Sequence, residues 1–368
     1  MSASMDRLDE GENYKELMDS FQHLYTKRAP TYDESQFHKD LAFDFANGFL
    51  TNPDGTSFLH ASSRVLDLCC GTGLVTYQFV AKMMSDGSIT ASDEPGLVVG
   101  VDITPALIDQ ARSKITTLTE YEQQGKQPPT MEFYNGDVTK LGEQVPQLEK
   151  GSFDLLCICS ALVLLNFESI PQAIADWNSY LKPGGKLLLD IPGPGSQPFS
   201  NGKVMASIFG KRDMSDAVTR YWTEGAPGGE KWSELSNDWM NKGNSEVIIR
   251  GAVEVANELL HHQSGIDPNA SAPALAIDKL FVTDKVYDRR SRKATPETVD
   301  LIWNFLKDGP SHFHTESVNR QLSDPAECDK MKSRLQQAML DLGREQGRES
   351  EGAIDEFRFI ICIIDRVI

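Results

Sequence analysis

Between residues 60 and 191, short apolar runs alternate with stretches in which apolar residues recur at helical spacing. Val65–Leu68, Leu97–Asp102, Met131–Val138, Ser152–Ser160 and Lys186–Ile191 supply the runs. Their Val, Leu and Ile content suits strands buried on both faces. Between them, Leu74, Val75, Phe79 and Val80 mark one helix. Leu107, Ile108, Ala111 and Ile115, behind a Thr104 cap and Pro105, mark a second, and Ile170–Leu181 a third. This alternation predicts an α/β fold with a doubly wound, parallel sheet. Tyr14–Leu50 reads as helical, with Leu17, Met18, Phe21 and Leu24 on one face. From Pro192 the pattern loosens into a long insertion holding Trp222, Trp232 and Trp239. Asp278–Arg289 alternates as a sixth strand, residues 290–352 are again mostly helical, and Glu356–Arg366 is an apolar closing strand. The expected organisation is a helical cover over 1–58, a core over 59–191, and insertions over 192–277 and 290–354. Segments 278–289 and 355–368 then return to complete the sheet.

The junction after the first strand carries the chemistry. Asp67 is the one carboxylate in its apolar run, and a charge there is costly without a partner. Gly71 and Gly73 then allow the backbone to turn sharply and approach a bound molecule. Open α/β sheets bind ligands in the crevice at such a strand end. The third glycine of a dinucleotide fingerprint is missing, because Leu74, Val75 and Thr76 follow Gly73. The Gly-Lys-Ser/Thr of a phosphate-cradling loop is missing too. The remaining pattern is Asp67-x-Cys69-x-Gly71-x-Gly73, an acid followed by small residues at alternate positions.

That pattern resembles motif I of the class I S-adenosylmethionine-dependent methyltransferases, with Cys69 where the family most often has its first glycine. The Asp-Leu-Cys-Cys-Gly-Thr-Gly wording is similar to the variant among quinone-ring methyltransferases and their small-molecule relatives. The helix, Lys182-Pro-Gly-Gly185 and following strand resemble the family as well. The resemblance implies a Rossmann-like, seven-stranded, mostly parallel sheet closed by an antiparallel hairpin, and S-adenosyl-L-methionine as cofactor. It implies that Asp67 serves the methionyl tail, with Cys69, Gly71 and Gly73 forming the turn beneath it. Asp102 at the end of the second strand would hold the ribose diol, and Ile103 would pack on the adenine. Asp102 follows Asp67 at more than the roughly 20-residue spacing usual for a ribose acid. The Gly/Ser/Asp-rich Ser85–Gly96 loop accounts for the excess. Gly136-Asp137-Val138 would read the adenine edge, and Ser160 would line the crevice near the sulfonium. Tyr25–Asp33 resembles a break between helices that closes over the cofactor, with Tyr32 nearest the methyl group and Tyr25 and Arg28 close by. For Tyr25, packing on an amphipathic helix is an equal alternative.

Charge narrows the acceptor. A net charge of −18 argues against a nucleic-acid partner, which draws on clustered Lys and Arg. The six cysteines lack zinc-ligand spacing and read as reduced core residues, which points to the cytoplasm and to no metal. The N-terminal residues lack a basic-then-apolar leader pattern, and no run of about 18 uncharged apolar residues exists, so no membrane span is expected. Methyl transfer requires the acceptor to be positioned, water excluded and, for a phenol, a proton removed. His38, His312 and His314 are the candidate bases, each with a structural role as the alternative. The expected protein is a monomeric or homodimeric methyltransferase acting on oxygen of an aromatic or polyketide-like small molecule from secondary metabolism. A regulatory protein methyltransferase and a non-methylating cyclase that uses the bound cofactor as a charge stay open.

Overall fold

A computed structural model of the chain describes residues 10–52, 54–85, 95–115, 128–165, 169–193, 245–264, 274–308, 322–350 and 352–367. The chain divides into two compact units. One holds residues 1–28, 200–221 and 290–355; the other holds 29–199, 222–289 and 356–368.

Two helices come first, α1 (Glu10–Tyr32) and α2 (Gln36–Asn47). The break between them is shorter than the sequence suggests. Pro30 sits inside α1, and the helix runs on to Tyr32, so Tyr25 and Arg28 are helical. Ser35 caps α2, its side chain accepting from the His38 N–H.

The strand–helix alternation then appears as expected. β1 (Arg64–Leu68), α3 (Leu74–Ser85), β2 (Leu97–Asp102), α4 (Pro105–Ser113), β3 (Thr130–Asn135), β4 (Phe153–Ile158), α5 (Ile170–Asn178) and β5 (Leu181–Pro192) follow in order. A long helix, α6 (Ser245–Ser264), precedes β6 (Leu275–Val282), and β7 (Phe359–Arg366) ends the sheet. The sheet has seven strands in the order β3-β2-β1-β4-β5-β7-β6. β1 to β5 pair in parallel, and β7 runs antiparallel to both β5 and β6.

Alternate side chains feed two cores. Leu66, Leu68, Val99, Val101, Leu156, Ile158, Leu187 and Leu189 share a buried cluster with Ile174 and Trp177 of α5 and Ile248, Ile249 and Ala252 of α6. Val65, Val98, Leu155, Cys157, Leu188, Ile361 and Ile363 point the other way, packing with Phe45 of α2 and Phe79, Val80 and Met83 of α3. Burial on both faces is why the strands read as unbroken apolar runs.

Two of the boundaries that differ from the sequence pattern share one reason. α5 ends at Asn178, and the Lys182–Gly185 segment lies within β5, where the pairing shifts between Phe153 and Leu155. Gly184 supplies the left-handed φ of 76° there, and Pro183 has no N–H to give to a ladder. β6 starts at Leu275 and stops at Val282, with a shift between Ile277 and Lys279 that leaves Asp278 out of the pairing. An unpaired residue changes the phase of the alternation, so the pattern misplaces the strand by a few residues.

In the other unit, α7 (Pro296–Asp308) and α8 (Pro325–Glu345) bury Val299 and Trp303 against Met331, Leu335, Ala338 and Met339. The three tryptophans of the long insertion lie outside the described residues, as do His312 and His314. Among the described residues no helix is long and apolar enough to cross a membrane.

Candidate functional site

The carboxyl ends of β1, β2, β3 and β4 carry the expected residues to one edge of the sheet. Cys69 follows β1 directly and takes φ 57°, and Ser160 follows β4 with φ 55°. Non-glycine residues in the left-handed region carry strain, which collects at functional sites. Gly71 (φ 56°) and Gly73 (φ 82°) complete the turn into α3. At Gly73 a Cβ would meet the Phe133 and Tyr77 rings at 3.2 Å. At Gly71 a Cβ would meet only Tyr32 Cε1, at 3.8 Å, so the absent side chain leaves a cradle beneath that ring.

Asp67 lies one residue before the end of β1 and is 1% exposed. Thr76 Oγ1 donates to its Oδ2 at 2.6 Å, and the Cys157 thiol donates to Oδ1 at 3.4 Å. Burial pushes its pKa up to about 7 against these two bonds. Asp67 thus ties the first turn of α3 to β1 and β4.

Asp102 closes β2. Its Oδ2 accepts from the Gly71 N–H at 2.9 Å and its Oδ1 from the Thr104 N–H at 2.7 Å. One carboxylate therefore holds both the glycine turn and the start of α4, and burial raises its pKa. Half-buried Ile103 follows it. Gly136 donates its N–H to the Asp102 carbonyl at 3.0 Å, which brings the end of β3 alongside. Asp137 caps the next turn, accepting from Thr139 N at 2.9 Å and Thr139 Oγ1 at 2.7 Å. Its own N–H goes to Gln144 Oε1 at 2.7 Å, and Trp177 Nε1 donates to the Val138 carbonyl at 2.8 Å.

A clasp invisible in the sequence holds the roof. Asp33 accepts from Thr72 Oγ1, inside the glycine turn, and from Lys114 Nζ at 2.5 Å, beyond the end of α4. Tyr32 is thereby fixed over Gly71. Tyr25 and Arg28 fall in the other unit, where the Arg28 guanidinium lies 5.5 Å from the centre of the Tyr25 ring. Replacing Asp33 by Ala is expected to free the roof and weaken cofactor binding about 5- to 10-fold, about 1–1.4 kcal/mol. Lys114→Met should do less, because the Thr72 bond remains; calorimetric titration of both variants checks the order.

An aromatic chain continues from the roof. Tyr32 and His38 rings lie 4.7 Å apart, His38 and Phe37 4.8 Å, Phe37 and Phe359 5.8 Å, and Phe359 and Tyr287 5.6 Å. His38 Nδ1 is 2.7 Å from Ser35 Oγ, so the ring is anchored at the start of α2. Beyond it, on the same face of the sheet as Leu188, lies Asp190 of β5, which the sequence pattern did not single out. Ser160 N–H donates to its Oδ1 at 2.7 Å.

A seven-stranded sheet in this order, with its one antiparallel strand inside the β5–β6 edge and a glycine turn after β1, defines the class I methyltransferase fold. Residues 65–185 match the family described as "Methyltransferase domain". The matched segment runs from β1 into β5 and holds the expected residues from Asp67 to Ser160.

Similar proteins include the U6 snRNA methylphosphate capping enzyme Amus of Drosophila melanogaster, 27% identical over 175 residues, 46% of this chain and 51% of that one. The demethylmenaquinone methyltransferase of Leptospira interrogans is 31% identical over 129 residues, 35% of this chain and 43% of that one. The 2-phytyl-1,4-naphtoquinone methyltransferase of Thermosynechococcus vestitus is 28% identical over 178 residues, 48% of this chain and 67% of that one. The chain spans about half the length of the first of these curated relatives. Among solved structures, the YcgJ protein of Bacillus subtilis covers 89% of this chain and 97% of its own, at 13% identity and a TM-score of 0.40.

Proposed function

We propose that the protein transfers a methyl group from S-adenosylmethionine to oxygen of a small aromatic acceptor. The observation that carries this reading is the roofed cradle at Gly71, with two carboxylates at successive strand ends and an aromatic chain leading away from it. The donor set fits the cofactor. Asp102 would hold the ribose hydroxyls, as a carboxylate accepts from both. Asp137 and Val138 would read the adenine, with Ile103 against its face. The backbone of Cys69, Gly71 and Gly73 would cradle the methionyl tail, braced from below by Asp67. When bound, the cofactor supplies a methyl group on a positively charged sulfur.

The chain's own contribution is position and exclusion of water. Tyr32, clasped through Asp33, closes one side; half-buried Phe37, backed by the buried Phe359 and Tyr287 rings, is the flat apolar face for a planar acceptor. Two of the relatives are, by name, methyltransferases of quinones, which supports an acceptor of that shape. The net charge of −18 speaks against an RNA acceptor, although one relative is named for an snRNA.

The test is incubation of the purified protein with methyl-labelled S-adenosylmethionine and a panel of phenols, hydroquinones and amines. Label on a phenol or hydroquinone oxygen is the expected result. Label found only on protein or RNA overturns the reading.

A further inference from the structure

We propose that Asp190 is the group that holds the acceptor's hydroxyl and takes its proton during transfer; the assignment rests on the small-molecule reading above. Asp190 is 1% exposed, inside a strand whose neighbours Leu187, Leu188, Leu189 and Ile191 are all buried. A carboxyl in such a place is costly unless each oxygen finds a partner. One does: Oδ1 accepts from the Ser160 N–H. The other, Oδ2, is buried with no hydrogen-bond partner among the described residues. An orphaned buried carboxyl oxygen calls for a ligand.

Its surroundings name the ligand's chemistry. Ser160, which orients Oδ1, holds a left-handed φ at the end of β4, where the class resemblance puts the sulfur. Strain and an orphan acceptor thus meet at one point. Tyr287 and Cys159 lie close enough for their charges to couple to Asp190. Tyr287 stacks on Phe359, which in turn stacks on Phe37. Phe359 and Tyr287 are buried and Phe37 is half-buried, so a planar aromatic body against Phe37, with its hydroxyl turned to Oδ2, would satisfy the orphan oxygen.

Burial lifts the Asp190 pKa to about 8. A base poised near the working pH is suited to accept a phenol proton. Two titratable groups beside it, the Cys159 thiol and the Tyr287 hydroxyl, stay neutral. Burial pushes the Cys159 thiol well above its usual value and the Tyr287 hydroxyl up as well. Asp67, on β1, also couples to Cys159, while Asp44 of α2 stands behind Tyr287 with Lys285 as its 2.8 Å partner.

The balance is simple. The oxygen–carbon bond to methyl forms as the carbon–sulfur bond breaks, and that bond's electron pair stays on sulfur. The hydroxyl proton passes to Oδ2, leaving neutral Asp190, methyl ether and neutral thioether.

The decisive variant is Asp190→Asn, which keeps an oxygen for the Ser160 N–H. Four measurements run on wild type and variant: transfer rate to 1,4-dihydroxynaphthalene and a phenol panel against pH, and affinity for S-adenosylhomocysteine. The third is affinity of the S-adenosylhomocysteine-loaded protein for the best phenol, and the fourth the infrared band of a protonated carboxyl. Expected in the wild type are a rate that rises with pH through about 8, as the carboxylate form appears, and a carboxyl band that fades over the same range. In Asp190→Asn the rate should fall by about 100-fold or more, the typical worth of a positioned base. The pH step and the part of the band that fades near about 8 should vanish, leaving the Asp67 contribution, which fades near about 7; phenol affinity should drop, and S-adenosylhomocysteine affinity should stay within about twofold. An unchanged rate and pH profile in Asp190→Asn overturns the assignment and leaves the small-molecule reading standing. Transfer to no member of the panel overturns both.

Discussion

Asp102→Ala is expected to lose about 100-fold or more in affinity for S-adenosylmethionine, roughly 2.7 kcal/mol. A carboxylate accepting from two hydroxyls makes charge-assisted bonds, each worth about 1.5–3 kcal/mol net. Asp102 also accepts from the buried N–H groups of Gly71 and Thr104, so Ala leaves both donors unpaired. The glycine turn loses the strut that sets its distance from β2, and the protein should melt earlier. Asp102→Asn divides the two effects. It removes the charge and replaces one acceptor by an amide that faces an N–H donor, so part of the turn's support survives. Binding by Asp102→Asn should fall between wild type and Asp102→Ala. Calorimetric titration with thermal melts of all three decides it. Undiminished uptake by Asp102→Ala would remove the ground for placing the ribose at this strand end.

The central sheet and the edge that carries the candidate site could be read from sequence because both follow from local rules. Strands buried on two faces must be apolar throughout, and the alternation with helices fixes parallel pairing. The Asp67-to-Gly73 spacing puts an acid, a strained small residue and two permissive glycines at a single strand end, where the structure places them. What the pattern missed is tertiary. Asp33, Thr72 and Lys114 are far apart in the chain, and no periodicity links them. Asp278 interrupts its ladder without leaving a compositional trace, which displaces the expected strand. Asp190 differs, because its signal was present. It is the lone acid in the apolar run Lys186–Ile191, as Asp67 is in Val65–Leu68, and the same argument from the cost of burial selects both. The structure separates them by partners: among the described residues Asp67 has both oxygens occupied, and Asp190 has one without a partner. His38, chosen for its chemistry, is held at the first turn of α2 between two aromatic rings, an anchoring that a sequence cannot display.

Trp177→Ala should be among the most destabilising single changes in this unit, at about 3–5 kcal/mol. Trp177 is 1% exposed and stands among the largest fully buried side chains. It fills the space between α5 and the strand ends together with Val138, Leu141 and Tyr180. Its Nε1–H is also the donor to the Val138 carbonyl, next to Asp137. Truncation therefore opens a cavity and unpairs a carbonyl on the segment assigned to the adenine. A melting temperature lower by about 10 °C is expected from the size of the domain. Cofactor affinity should fall in the same variant, because the Asp137–Val138 turn loses its anchor. Trp177→Phe keeps most of the volume and loses only the hydrogen bond, so it should cost about 1–2 kcal/mol. Denaturant unfolding of the two variants, each with and without S-adenosylhomocysteine, separates packing from anchoring. If Trp177→Phe weakens cofactor binding as much as Trp177→Ala while remaining far more stable, the hydrogen bond alone positions the adenine turn. If neither variant alters binding, Asp137 and Val138 do not contact the base.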